Sequence, residues 1–304
     1  MRRAFGWLVL AALAGLAAFY LATLPSGLTP GEIAALPAGD AARGERVFWI
    51  GGCASCHAAP GAKGEDRLRL GGGRVLATEF GDFVVPNISS DEIDGIGGWT
   101  AADLATAMWR GVSPEGRHYY PAFPYASYIR VTPGDVADLS AFLHTLPAVP
   151  GAQPESRLRF PFNIRRGIGL WKLAFLNAAP MVEFAAPDPA MTRGQYLVEG
   201  PGHCGECHTP RNLAGAMDST RWLSGAPAAE GTGRVPNITP GDGGIGDWSL
   251  ADIAYYFESG FTPEFDSVGG AMAEVQGNLS MLPATDRNDI ATYLKAIPGH
   301  PTSR

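Results

Sequence analysis

Cysteine is scarce in this sequence of 304 residues, and its placement excludes a disulfide framework. All four cysteines fall in two short clusters, Cys53-Ala54-Ser55-Cys56-His57 and Cys204-Gly205-Glu206-Cys207-His208. No cysteine is left over to crosslink the rest of the chain. An excess of positive charge is also lacking. The formal net charge is −7, which argues against nucleic acid as a partner.

Long apolar runs are lacking except at the N-terminus. An uncharged run extends from Phe5 to Leu24, preceded by Arg2 and Arg3. As a helix this run would span about 30 Å, the thickness of the bilayer hydrocarbon. A cleaved signal peptide is the alternative, but its apolar region is usually only about 7–15 residues and ends at a small-x-small site. We expect an uncleaved anchor, with the two arginines in the cytoplasm and the rest of the chain outside.

Recognisable catalytic constellations are lacking too. We find no nucleotide-binding loop, no nucleophile–base set and no metal cluster beyond the two cysteine motifs, so we assign no catalytic residue. The sequence instead contains an internal repeat with a period of about 150 residues. Arginine, Pro-Asn-Ile and Gly-Ile-Gly-x-Trp motifs recur in the same order as the cysteine motifs, at Arg43/Arg193, 86–88/236–238 and 95–99/244–248.

The repeat divides the chain into four predicted segments. These are an anchor and linker at 1–37 with the membrane span at 5–24, a first unit at 38–148, a connector at 149–189 and a second unit at 190–304. Capping signals predict short helices, from Thr100 to Arg110, from Thr132 to Leu146, from Ser249 onwards and from Asp286 to Ile297. A short helix is predicted in the apolar stretch 168–176 of the connector. With little period-2 alternation anywhere, the expected fold is mostly α and rich in loops.

Each cysteine cluster has the C-x-x-C-H pattern of a c-type haem attachment site. Two thiols form thioethers with the haem vinyl groups, and the histidine reaches the iron from one face. A zinc site would want four ligands, and a thioredoxin-like motif would need a βαβ context, so both alternatives are disfavoured. We therefore predict two covalently bound haem c groups, attached through Cys53, Cys56, Cys204 and Cys207 and ligated by His57 and His208. Arg117 and Arg211 are candidate partners of the haem propionates.

The sixth iron ligand is a separate question in each unit. In the second unit, Met272 lies in a Gly-rich segment before the last predicted helix, where a thioether could reach the iron. Met217 follows His208 too closely, and Met281 sits at the edge of the last helix. We therefore predict Met272 as the ligand of the second haem.

The repeat places Phe123 of the first unit at the position of Met272, and phenylalanine cannot ligate iron. His118, five residues upstream in the same loop, is one possible replacement. Met108 is another, although a core position suits it better. A first haem with an open sixth position is the third possibility, and the sequence leaves all three open.

These motifs, together with Tyr-Pro-Ala-Phe-Pro-Tyr at 120–125 and Gly-His-Cys-Gly-Glu-Cys-His-Thr-Pro-Arg-Asn at 202–212, resemble the multi-haem cytochrome c subunits of bacterial periplasmic dehydrogenases of the alcohol, gluconate and aldehyde type. The resemblance covers residues from about 40 to 300. It implies two tandem class I cytochrome c-like domains behind one transmembrane helix, on the periplasmic side of the inner membrane.

The same resemblance implies a function. Such a protein takes electrons from the catalytic subunit of a periplasmic dehydrogenase and passes them to quinone or a terminal oxidase, without catalysis of its own. The alternative is a dihaem oxidoreductase that acts on peroxide or on sulfur compounds through an open or labile first haem. Phe123 supports this alternative, because a phenylalanine at the position of Met272 cannot ligate the first haem iron.

Overall fold

The computed structural model describes residues 2–228 and 233–303 as a mainly helical chain with two small sheets. Residues 1, 229–232 and 304 lie outside the described residues. The first belongs to the predicted anchor segment and the others to the predicted second unit. The helices are α1 Arg2–Ala22, α2 Pro30–Ala34, α3 Ala41–Ile50, α4 Cys53–His57, α5 Ala101–Arg110, α6 Tyr125–Tyr128, α7 Pro133–Leu143, α8 Ile168–Phe175, α9 Pro189–Glu199, α10 Gly205–His208, α11 Leu250–Ser259, α12 Met272–Leu279 and α13 Ala284–Ala296.

Helix α1 covers the predicted apolar run Phe5–Leu24 up to Ala22. Its segment Arg3–Ala22 has a mean hydropathy of 2.0, and none of its most apolar stretch is buried against the rest of the protein. The helix ends at Ala22, and Leu24 lies beyond it. Its length and composition suit a membrane anchor, and they equally suit a signal sequence.

Each predicted unit is built around one close helix crossing. Helix α3 packs on α7 in the first unit, and α9 packs on α13 in the second. A Cβ atom on Gly44 would lie 1.9 Å from the carbonyl oxygen of Asp138, and one on Gly194 would lie 1.9 Å from that of Asp289. Because only glycine permits such an approach, the two crossings depend on glycine at matching places in the repeat.

The capping signals were largely reliable. Thr100 and Asp103 form a capping box at the start of α5, and Ser249 and Asp252 form one at the start of α11, as predicted. Helix α7 starts as predicted after its cap Thr132, but it ends at Leu143 rather than at residue 146. The last residues before Pro147 form turns, because the residue before a proline avoids the helical conformation.

Strands are few, in agreement with the expectation of a mostly α fold. Strands β1 Val75–Thr78 and β2 Gly81–Val84 form a hairpin, which β3 Arg157–Leu158 from the connector extends. In the second unit, β4 Ala226–Pro227 pairs with β5 Arg234–Val235. All five strands have four residues or fewer, which is too short for alternation to be detected in the sequence.

The predicted connector helix is confirmed as α8, and it contacts three parts of the chain. Gly169 packs against Thr23 just after α1, where a Cβ atom would lie 2.7 Å from the Thr23 Cα. The Trp171 indole donates to the carbonyl of Ala214 in the second unit at 2.9 Å. Lys172 donates to the backbone carbonyls at the end of α5 in the first unit. The connector is therefore more than a spacer between the units.

Candidate functional site

Both C-x-x-C-H motifs form a single helical turn. The first is α4, and the second runs from Cys204 through α10. In both, the residue before the first cysteine has a left-handed backbone, with φ of 61° at Gly52 and 38° at His203. This left-handed residue separates the turn from the preceding helix, α3 or α9. Within the described residues no disulfide joins any of the four cysteines.

The two motif histidines are oriented in the same way. Nδ1 of His57 lies 2.8 Å from the carbonyl oxygen of Pro86, and Nδ1 of His208 lies 2.8 Å from that of Pro236. A carbonyl only accepts, so Nδ1 carries the hydrogen and Nε2 keeps its lone pair. Burial lowers the pKa of His57 to about 4 and also lowers the pKa of His208, so both imidazoles are neutral. This is the state and orientation that ligation of a metal requires.

The cysteine thiols have surroundings that suit attachment of an apolar macrocycle. Burial, and to a lesser degree the second cysteine of each motif, raises the pKa of Cys53 and of Cys204 to about 12. Apolar side chains pack around both turns. The arrangement fits covalent haem at each motif, with two thiols and one oriented imidazole on a single turn.

An arginine supports each motif at the residue before the second cysteine. Arg74 donates to the carbonyl of Ser55 at 2.9 Å, and Arg211 donates to the carbonyl of Glu206 at 2.9 Å. Arg211 also pairs with the Glu206 carboxylate at 2.6 Å. The sequence predicted Arg211 as a haem-propionate partner, not as a support of the turn, and it gave no signal for Arg74. Arg117, the other candidate, is exposed and faces Glu155 at 3.6 Å.

The two motifs are linked across the interface between the units. The Asn278 amide on α12 donates to Ser55 Oγ at 2.6 Å, and Ser127 Oγ on α6 donates to Glu206 at 2.9 Å. Ser55 and Glu206 are the third residues of their motifs, and Ser127 and Asn278 also correspond in the repeat. Each unit therefore holds the C-x-x-C-H turn of the other, an exchange that the sequence does not indicate.

A second reciprocal pair lies deeper in this interface. Arg46 of α3 forms a bidentate ion pair with Asp286 of α13, whose side chain is fully buried. The corresponding residues, Tyr196 of α9 and Asp135 of the first unit, are hydrogen-bonded to each other. Arg193 also donates to Asp286, at 3.2 Å. The two units are thus joined by polar contacts that are repeated about an approximate twofold relation.

The structure does not favour His118 as a ligand of the first haem. Its Nε2 lies 2.9 Å from the carbonyl oxygen of Thr23, and its Nδ1 lies 3.0 Å from Nζ of Lys172. Burial lowers the pKa of His118, so the ring is neutral; it donates to the carbonyl and accepts from the Lys172 amino group, whose own pKa burial lowers to about 7. Both ring nitrogens are thereby used in joining the first unit to the end of α1 and to α8.

The methionines are distributed as follows. Met272 is half-buried at the first position of α12, so it lies at the start of a helix and not in the loop that was predicted. Met217 packs beside Gly205, and Met281 is half exposed. Met108 is buried in the core. Phe123 packs between Tyr119 and Tyr128, with ring centroids 5.6 Å from each.

Comparison with known proteins agrees with this geometry. The model of the cytochrome c family matches residues 41–147. A "Diheme cytochrome c-type" protein of Cereibacter sphaeroides is 56% identical over 299 residues, which are 98% of this chain and 99% of that protein.

Subunits of dehydrogenases are similar as well. The fructose dehydrogenase cytochrome subunit of Gluconobacter japonicus is 36% identical over 84% of this chain, and the gluconate 2-dehydrogenase cytochrome c subunit of Pantoea cypripedii is 34% identical over 84%. This chain spans 52% and 59% of those two subunits. It therefore corresponds to only part of them.

Proposed function

Because this chain belongs to the dihaem c-type cytochromes and binds two covalently attached haem c groups, we propose that it is the electron-carrying subunit of a periplasmic dehydrogenase system. It would accept electrons from a dehydrogenase catalytic subunit and deliver them to quinone or to a terminal oxidase of the respiratory chain. The similarity to cytochrome subunits of fructose and gluconate dehydrogenases supports the kind of donor.

The observation that carries this proposal is the pairing of the two motifs across the interface. We assign the first haem to Cys53, Cys56 and His57. We assign the second haem to Cys204, Cys207 and His208. Each bound haem supplies a one-electron redox centre. Ser55 and Glu206 attach each turn to the other unit, and Nε2 of His203 before the second turn lies 3.2 Å from the carbonyl oxygen of Gly51 before the first. This proximity supports electron exchange between the two centres.

We assign these centres to two tandem cytochrome c-like domains, 38–148 and 190–304, behind an uncleaved membrane anchor in α1. The matching helix crossings at Gly44 and Gly194 support the tandem arrangement. The anchor would place both domains at the periplasmic face of the inner membrane. Mass spectrometry of the mature protein tests the anchor, because cleavage would remove the peptide that contains Phe5–Leu24.

The carrier function is tested on the full-length, haem-loaded protein in lipid vesicles. We expect two reversible one-electron transitions in a spectroelectrochemical titration, rapid exchange with decylubiquinone or a terminal oxidase, and no turnover of hydrogen peroxide. A variant with both Cys204→Ala and Cys207→Ala should keep one haem and one transition. Catalytic consumption of peroxide without exchange with quinone or oxidase would refute the carrier function.

Phe123 and His118 favour a second candidate function. With Phe123 packed between tyrosines and both nitrogens of His118 engaged, neither residue is placed to serve as a sixth ligand. We assign Met272 to the second haem only. A labile sixth position on the first haem would suit a dihaem oxidoreductase that acts on peroxide or sulfur compounds, in place of a pure carrier.

Carbon monoxide distinguishes the two candidates. It competes for an open or weakly held position on reduced iron, so a difference spectrum counts such positions. A shift of about half the haem signal that disappears in Phe123→Met would support the oxidoreductase. His118→Gln serves as the control, because a residue that is not a ligand leaves the spectrum unchanged. Absence of a shift in the unmodified protein would exclude the oxidoreductase and retain the carrier function.

A further inference from the structure

The connector exposes a group of large apolar side chains beside the end of α1. Phe160 is 78% exposed and Leu173 is 71% exposed. Four neighbours are exposed by more than a third, namely Phe162, Ile164, Leu170 and Phe175. We call these six residues the connector patch. Scattered exposed apolar residues are normal on a protein surface, but a group within so short a segment marks a contact surface.

The charged side chains of the connector segment itself are all positive. Residues 156–182 include no aspartate or glutamate, although the chain as a whole has a net charge of −7. The basic residues of this segment are Arg157, Arg159, Arg165, Arg166 and Lys172. A surface that combines apolar and cationic side chains is complementary to a bilayer with anionic headgroups.

The connector is fixed to the last turn of α1. Arg166 donates to the carbonyl of Tyr20 at 2.8 Å, and its guanidinium lies 4.2 Å from the centre of the Tyr20 ring. Gly169 packs against Thr23, and the carbonyl of Thr23 accepts from His118. The position of the patch relative to the end of α1 is therefore set by direct contacts.

We propose that the connector patch rests on the surface of an anionic bilayer, as a second membrane attachment beside α1. This inference rests on the proposed anchor. Tyr20 would lie at the headgroup level, where tyrosine is enriched, and the patch would then meet the boundary of the hydrocarbon. The apolar side chains insert at that boundary, while the exposed guanidinium groups meet lipid phosphates.

A second attachment would determine how the haem units stand on the membrane. A single helix leaves a domain free to tilt and turn. Contacts of α8 with Thr23, with the end of α5 and with Ala214 transmit the position of the patch to both units. The haem-attachment turns would then keep one orientation toward the bilayer.

Photolabelling tests the proposal on the full-length, haem-loaded protein. The protein is reconstituted into vesicles of phosphatidylcholine and phosphatidylglycerol that contain a diazirine phospholipid, and labelled peptides are mapped by mass spectrometry. We expect labels in residues 5–24 and in 160–176, with the second set weakened in pure phosphatidylcholine. Leu173→Ser should lower the labelling of 160–176 about tenfold, as withdrawal of one leucine from an apolar phase implies, and leave that of 5–24 unchanged.

The control is Leu213→Ser, which changes a fully exposed leucine outside the patch. It should alter neither segment. Labels in 5–24 without labels in 160–176 would overturn the inference and support the anchor. The connector patch would then be a contact surface for a protein partner. Absence of labels from both segments would overturn the anchor and the inference together.

Discussion

The Asp286 carboxylate is the group whose removal should most clearly separate the two units. It is fully buried and accepts three hydrogen bonds, two from Arg46 of the first unit and one from Arg193 of its own unit. Asp286→Asn keeps the shape but removes the charge. Breaking a buried ion pair typically costs about 3–5 kcal/mol. Because both guanidinium groups can still reach water, we expect the lower limit, a loss of about 3 kcal/mol in the free energy of unfolding.

Asp138→Asn is the matched control. Asp138 is also buried and accepts a bidentate pair from Arg43, at 2.7 and 2.8 Å, but both residues belong to the first unit. Its loss should weaken the first unit without uncoupling the two units. Asp286→Asn, in contrast, should let the units unfold in separate transitions.

Urea unfolding followed by the Soret band measures the total loss, and hydrogen exchange resolved by mass spectrometry reports each unit. Combining Arg46→Ala with Asp286→Asn should cost little more than Asp286→Asn alone, because one interaction is removed twice. A loss below about 1 kcal/mol, the range of exposed pairs, would refute the reasoning. So would additive losses in the double variant.

Three more predictions concern single sites. Gly194→Ala would force a Cβ into a backbone carbonyl and should cost at least about 3 kcal/mol in urea unfolding, whereas Gly277→Ala, which has open space, should stabilise its helix by up to about 1 kcal/mol. Lys172→Met removes the side-chain donor to the carbonyl of Arg110 and one of two donors to the carbonyl of Gly111, which keeps the amide of Tyr119, and should lower the melting temperature, with a cost of about 1–3 kcal/mol. Burial pushes the pKa of Asp138 up, but the bonds from Arg43 and a backbone amide outweigh it and hold that pKa below its ordinary value. The stability from this pair should therefore be present above about pH 4 and be lost as the pH falls further, and Asp138→Asn should remove that part of the acid sensitivity in pH-dependent unfolding.

Features fixed by near neighbours could be predicted from the sequence. The capping boxes at Thr100 and Ser249 involve residues three apart, and α8 follows from an apolar stretch that only Lys172 interrupts. The motif turns are equally local. In each of these cases the group that satisfies the backbone or forms the turn is visible within a few positions of the chain.

Features that depend on distant partners could not be predicted. His118 has the residue type of a ligand, but Thr23 and Lys172 engage its two nitrogens across more than fifty residues of chain. Strand β3 pairs with a hairpin from another part of the chain, and its two residues have no pattern of their own. Arg74 reaches Ser55 only because the chain between them folds back.

The exchanged contacts between the units also bear on the origin of the protein. In a symmetric dimer every contact occurs twice, with the roles of the two copies exchanged. The pairs Ser55–Asn278 and Ser127–Glu206 have this form within one chain. Duplication and fusion of the gene of a self-pairing one-haem protein would produce this arrangement. The corresponding residues now differ, with arginine at 46 but tyrosine at 196, so neither half could replace the other in these contacts.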